Sequence, residues 1–144
     1  MHPLPAINYL AVLVAAIVIF VLGGLWYSPV LFAKRWIALQ NRTEEEMRAQ
    51  AAASNMPLMY FAALVCAFLQ ALVMAGVIAH IDPGHTIGAP HGAVMAAFLW
   101  LGFVASTTYA TALFSGKSKQ LWMIDTLYNL VSFMLAGAIL AVWR

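Results

Sequence analysis

The chain has 144 residues, 65% of them hydrophobic and only 8% charged, with a formal net charge of +2 and a mean hydropathy of +0.89. A water-soluble domain carries about a quarter charged residues, so this chain has too little charge to cover a surface in water. It also has more apolar surface than one core could hide, which excludes an ordinary soluble domain, and no Lys/Arg block with interleaved aromatics points to nucleic acid.

Crossing a bilayer as helix takes about 20 apolar residues, and four segments qualify. The first runs over 7–26. Its N-terminal flank, "MHPLPAINYL", has no Lys or Arg, and its end is Trp-Tyr-Ser-Pro rather than a small-residue cleavage site, so it reads as a retained span. The second covers 57–80 and opens on Pro57, a residue suited to a helix start. The third covers 91–114, after Pro90, and the fourth 121–143. A spanning segment must satisfy its own backbone hydrogen bonds, and these runs are too long and continuous for alternating barrel strands. The expected fold is therefore all-α: one integral membrane domain of four transmembrane helices, residues 1–144.

Between spans 1 and 2, "GGLWYSPVLFAKRW" (23–36) carries two aromatics, a Ser-Pro break and paired positive charges. Trp26 and Tyr27 suit the headgroup level, and Ser28-Pro29 ends or bends the helix. Val30, Leu31, Trp36, Ile37 and Leu39 around Lys34-Arg35 predict a short interfacial amphipathic helix. Thr43 stands three residues before Glu46, a capping-box pattern that predicts a second short helix in this loop. Six of the seven basic residues lie in this loop and in "SGKSK" (115–119), with Arg144 alone on the other side. The positive-inside rule then places both termini away from the cytoplasm.

"YSPVLFAKRW" (27–36) and "YATALFSGKSKQLW" (109–122) share a Tyr, a Leu-Phe pair, a basic group and a Trp. They are either marks of a parallel repeat of two hairpins or two stretches obeying the same interface rules. Ala63, Ala67, Ala71, Ala75 and Ala79 form a stripe at spacing four along span 2, suited to close helix approach within the chain or with a copy. Gly92/Ala96, Gly102/Ser106, Ser132/Ala136 and Gly137/Ala141 offer similar pairs. Gln70, in mid-span, predicts an interhelical hydrogen bond worth about 1 kcal/mol.

Asp125 is the one carboxylate inside a span, where charge is costly and turns toward the protein interior. Asn129 and Ser132 share its helix face, Tyr128 flanks them, and Thr108, Thr111, Tyr27 and Ser28 reach a similar depth. In one reading Asp125 is a proton or cation site with these groups as ligands. In the other it sits near a helix N-terminus, pairs with Lys119, Lys34 or Arg35, and pins the bundle; the hydroxyls then bond to their own helix carbonyls. His80, Asp82, His85 and His91, with His2 on the same side, carry donor types that zinc or copper accepts, at a spacing that matches no defined zinc motif. Beyond this weak metal candidate no cofactor is expected. Hydrolase, zinc-protease and phosphate-loop motifs are missing from the sequence.

In "INYLAVLVAAIVIFVLGGLWYSPVLFAKRW", "WLGFVASTTYATALFSGKS" and "IDTLYNLVSFMLAGAILAVW" the chain resembles a family of small bacterial membrane proteins, domain of unknown function 1761. The resemblance implies a four-helix bacterial membrane protein and places Trp26, Tyr27, Ser28, Pro29 and Asp125 in a shared pattern. It brings no activity.

The leading expectation is a small channel or transporter subunit of the bacterial inner membrane, moving a proton, ion or small solute through the cluster around Asp125. A homo-oligomer is expected, since four helices leave little interior. The alternative is a structural or assembly protein that binds another membrane protein or lipid through the alanine stripe and the interfacial helix. A membrane enzyme is the least supported class.

Overall fold

The computed structural model describes residues 6–144; His2 lies outside the described residues. Four helices are long and apolar enough to cross a membrane: Tyr9–Trp26, Met56–Ile81, Ala89–Ser115 and Lys119–Val142. The first is α1, the second α4 and the fourth α7. The third is built from α5 (Ala89–Leu99), a π-helical turn (Trp100–Ala105) and α6 (Ser106–Ser115). The loop between the first two spans carries α2 (Ala33–Ala38) and α3 (Glu44–Ala53). The all-α four-span expectation holds, with boundaries within two residues of those read from hydropathy.

Polar residues at the boundaries set the helix ends. Asn8 Oδ1 accepts from the N–H groups of Leu10 and Ala11 at 3.1 and 3.2 Å, and Ser118 Oγ accepts from Leu121 N–H at 3.2 Å. Asn55 caps α4 through Leu58 N–H at 3.2 Å, with Pro57 in the first turn. The capping box is complete: Glu46 N–H donates to Thr43 Oγ1 at 3.1 Å and Thr43 N–H to Glu46 Oε2 at 2.9 Å. Each such cap satisfies N–H groups that a helix start leaves unpaired. Gly116, at φ +69°, stops α6 in the left-handed conformation that glycine adopts freely. This turn reverses the chain into α7 with a linker of only three residues, 116–118.

The core is made of small side chains. Ala11, Ala15 and Ala16 of α1, Ala71 of α4, Ala96 of α5 and Ala136 of α7 are fully buried, with Val12, Ile78 and Leu140 as the largest buried apolar groups. In lipid, helices associate by close packing rather than by escape from water, and this composition brings backbones together. Packing runs α4 on α1, α1 on α7 and α7 on α5, with α4 also meeting α7. The alanine stripe is spent inside the chain: Ala67, Ala71, Ala75 and Ala79 are buried, while Ala63 at the loop end is exposed. Of the two uses open to the stripe, the structure shows packing within the chain.

Gly92 and Gly137 give the closest approach. A Cβ on either would run into the other's carbonyl oxygen, and into Ala141 or Ala96 beside it. Gly102, by contrast, meets nothing and Ser106 is exposed, so that small-residue pair packs on none of the described residues. The third span is the least covered of the four, with 11% of its apolar window buried against 28% in each of the others. Its π turn was not expected from sequence; there Trp100 Nε1 donates to the Thr126 carbonyl of α7 at 3.0 Å.

Candidate functional site

The start of α1, the C-terminal Arg144 and the 82–88 loop lie at one end of the bundle, the terminal end. The 27–55 loop and the 116–118 turn lie at the other, the loop end, where Arg35 of α2 donates to Gln120 of α7 at 3.0 Å. After α1 the backbone turns at Tyr27-Ser28, and Ser28 Oγ donates back to Leu25 O at 2.7 Å. This turn folds Phe32 onto Trp26, with ring centroids 4.8 Å apart, and Trp36 onto Tyr27 at 5.5 Å. α2 is thus held against the bundle by aromatic contacts, tilted for Trp26–Phe32 and edge-to-face for Tyr27–Trp36.

Both aromatics of the second pair reach Asp125. Tyr27 Oη donates to Asp125 Oδ1 at 2.8 Å, and Trp36 Nε1 donates to the same oxygen at 3.0 Å. Lys117 Nζ donates to Asp125 Oδ2 at 2.5 Å, an ion pair with both side chains about a third exposed, 33% and 28%. Burial, followed by the adjacent Asp125 charge, pushes the Tyr27 phenol well above the usual tyrosine range, so it stays a donor. Asp125 therefore joins the first loop, the third turn and the fourth span through one carboxylate.

Three cavities open in this half of the bundle. The vestibule, about 370 Å³, lies between the first loop and the start of α7, with Trp36, Gln40, Arg42, Lys117 and Asp125 in its wall. The second, about 280 Å³, lies between α6 and α7 and is lined by hydroxyls, with Thr107, Thr108, Thr111 and Asn129 beside Lys117 and Asp125. The Lys117–Asp125 pair belongs to both walls. The third is a larger groove of about 740 Å³ between α1 and α4, with Gly23, Tyr60, Cys66, Gln70 and Tyr128 along it.

The sequence-expected cluster divides over these features. Asp125, Asn129, Thr108 and Thr111 come together at the hydroxyl-lined cavity, and Tyr27 binds the carboxylate from the other side. Tyr128 faces the groove, where its hydroxyl donates to Ile19 O at 3.2 Å and stands 3.0 Å from where a Cβ on Gly23 would sit. Ser28 bonds within its own turn. Ser132 lies in the dry core, 1% exposed and without a hydrogen-bond partner, so the small-residue packing of α7 rather than the cluster claims it. Gln70 lines the groove and makes no side-chain hydrogen bond with the described residues. Sequence reasoning missed Trp36, treated only as an interfacial residue, and Lys117, passed over for its neighbours Lys119, Lys34 and Arg35.

The terminal end has its own ion pair. Arg144, the one basic residue outside the two basic loops, places its guanidinium on Asp82 Oδ2 at 2.6 Å and on Asp82 O at 2.8 Å. Asp82 also accepts from Thr86 N–H, from Ile87 N–H at 3.0 Å and from the Thr86 hydroxyl at 2.6 Å. These bonds, the Thr86 hydroxyl foremost, with Arg144 adding to them, hold its carboxyl well below the usual carboxylate range. Asp82 is thereby taken out of the histidine group. His80 Nδ1 lies 2.9 Å from Gly76 O, His85 and His91 are exposed, and among the described residues no three His, Cys, Asp or Glu side chains converge as a metal site would require. The expectation of a ligand set from His80, Asp82, His85 and His91 is corrected accordingly.

Residues 10–141 match the family described as Protein of unknown function (DUF1761). No curated protein and no solved structure matches the chain.

Proposed function

Because the chain belongs to the DUF1761 family, whose description carries no activity, we propose its function from the geometry alone: a small transport subunit that admits a polar solute or ion at the loop end, past Asp125. The observation that carries this reading is the position of the Lys117–Asp125 pair in the shared wall of two cavities. One is a basic, polar vestibule at the loop end; the other is a hydroxyl-lined chamber beside the third span. A charge pair in a common wall can close the passage when formed and open it when exchanged. An ionisable group inside a span is costly in lipid and is by default a candidate functional site.

The basic loops support a topology with the loop end in the cytoplasm and both termini outside, and the resemblance to small bacterial membrane proteins supports a bacterial inner membrane as its setting. The uncovered third span, 11% buried, supports association with further copies, which would complete the chamber's outer wall. No continuous passage runs through one protomer's terminal half along α5 and α7, where Gly92 and Gly137 touch. The test is flux in proteoliposomes. Asp125→Asn is expected to reduce solute or proton flux at least tenfold, roughly 1.4 kcal/mol in barrier, with folding retained; equal flux in both proteins would remove the proposal.

A further inference from the structure

The hydroxyl-lined cavity has a one-sided hydrogen-bonding character. A serine or threonine hydroxyl has one proton to give and two lone pairs to receive with. Around this cavity the protons are committed inward: Thr108 Oγ1 donates to Val104 O at 2.6 Å, Thr111 Oγ1 to Thr107 O at 3.0 Å, and Thr107 Oγ1 to Phe103 O. Asn129 spends an amide N–H on the Asp125 carbonyl at 2.9 Å, and its amide oxygen accepts nothing from the described residues. Trp122 Nε1, in the same wall, spends its N–H on Thr108 Oγ1 at 3.0 Å, so what remains for the cavity is lone pairs of Thr107, Thr111 and the Asn129 amide oxygen, and the Asp125 carboxylate.

A cavity of acceptors with one carboxylate suits a cation. With a single acid in the wall, the charge that balances is one; calcium-type ions gather several carboxylates and six to eight oxygens. Lys117 already supplies one positive charge there, at 2.5 Å from Asp125. It sits on the short 116–118 turn that also faces the vestibule, and can move its ammonium into that space.

We infer that the cavity between α6 and α7 is a binding site for a small monovalent cation, alkali or ammonium, and that the Lys117 ammonium is its tethered competitor. The inference rests on the reading of this cluster as a solute site and deepens it by naming the solute. A cation from solution displaces Lys117 toward the vestibule and takes its place beside Asp125. The same exchange opens the shared wall.

The test is binding, read separately from flux. Purified protein in lipid nanodiscs is titrated with lithium, sodium, potassium and ammonium chloride, at constant ionic strength made up with N-methylglucamine chloride. The readouts are the unfolding midpoint and the tryptophan fluorescence, since Trp122 borders the cavity. Lys117→Ala is expected to tighten the apparent affinity for at least one of these cations about tenfold or more, the factor by which a site occupied nine-tenths of the time by its own tether is weakened. In that background Thr111→Val, which removes one oxygen from the wall, weakens binding again, and Asp125→Asn abolishes it. If Lys117→Ala does not fold, Lys117→Gln carries the same prediction. A charge-deleted variant without a saturable, cation-specific response overturns the inference, as does a response that survives Asp125→Asn. Cation binding without flux would sustain the site and sink the transport reading. Flux without any such binding would do the reverse.

Discussion

Each end of the bundle ties an aspartate to a basic side chain, and the two ties are built for different purposes. At the terminal end, Asp82 and Arg144 are 8% and 7% exposed, and Asp82 also accepts three hydrogen bonds from Thr86 and one from Ile87. Nearby, the Gly92–Gly137 contact brings α5 and α7 together. At the loop end, Asp125 and Lys117 are about a third exposed, and cavities lie on either side of them. Asp125 is held by two aromatic donors and one flexible ammonium rather than by backbone. A carboxylate saturated by backbone donors and a buried guanidinium has nothing left to exchange. One held by a lysine on a three-residue turn can trade partners. Opposite charges in proximity therefore say little; the rest of the coordination decides between a rivet and a site.

The comparison breaks most visibly at the close-packed end. Gly137→Leu is expected to give the largest loss, beyond the range of about 1–3 kcal/mol typical of overpacking, because the obstacle is a facing backbone rather than a movable side chain. The unfolding midpoint in detergent measures it, and a well-folded Gly137→Leu would show that α5 and α7 do not approach as described.

Asp82→Asn comes next. The folded-state carboxyl of Asp82 lies below its ordinary value, so its contribution is complete above about pH 4 and is lost as pH falls through and below that range. The stability gap between the natural protein and Asp82→Asn should therefore be wide at neutral pH and narrow on acidification. A gap independent of pH would separate Asp82 from the tie.

Asp125→Asn should cost less, about 1 kcal/mol or below, since a pair this exposed is screened by solvent. Its clearer signature is a change in Trp36 emission as the indole loses a charged acceptor. A loss as large as that of Asp82→Asn would make Asp125 a second rivet. Gln70→Leu is expected to have the smallest effect, within about 0.5 kcal/mol, as its side chain makes no hydrogen bond with the described residues. A destabilisation above 1 kcal/mol would reveal a partner for Gln70 in the folded protein.

The two hairpins offer a related contrast. The shared Tyr, Leu-Phe, basic and Trp pattern produces a Tyr–Trp ring contact in each, edge-to-face for Tyr27–Trp36 at 5.5 Å and tilted for Tyr109–Trp122 at 4.8 Å. In the first the donors end on Asp125. In the second, Trp122 Nε1 donates to Thr108 Oγ1 at 3.0 Å and Tyr109 has no carboxylate to meet. Similar interface chemistry is thus put to one polar and one neutral use. The ring contact itself follows from interface rules and does not require a repeat.

Hydropathy, proline placement and capping residues were enough to read the four spans, both loop helices and the capping box, because each depends on residues near one another in sequence. The importance of Asp125 was legible too: a lone carboxylate in an apolar run must be held by something. Its holder was not, since Lys117 reaches it only through the left-handed Gly116 turn, and Tyr27 and Trp36 only by folding α2 back across the bundle. The histidine group failed as a ligand set for a similar reason. Proximity along the loop did not predict that Asp82 would be claimed by Thr86, Ile87 and an arginine 62 residues away.

By itself the sequence determined the solvent and the number of crossings. Both follow from transfer free energy summed over runs of neighbouring residues. Only the tertiary structure decided which face each helix hides, which aspartate is sealed and which is left between two cavities, and that the alanine stripe serves the chain's own core. Those outcomes turn on side-chain contacts a few ångströms long between residues far apart in the chain, and no local pattern encodes which of several equally suitable partners arrives first within reach.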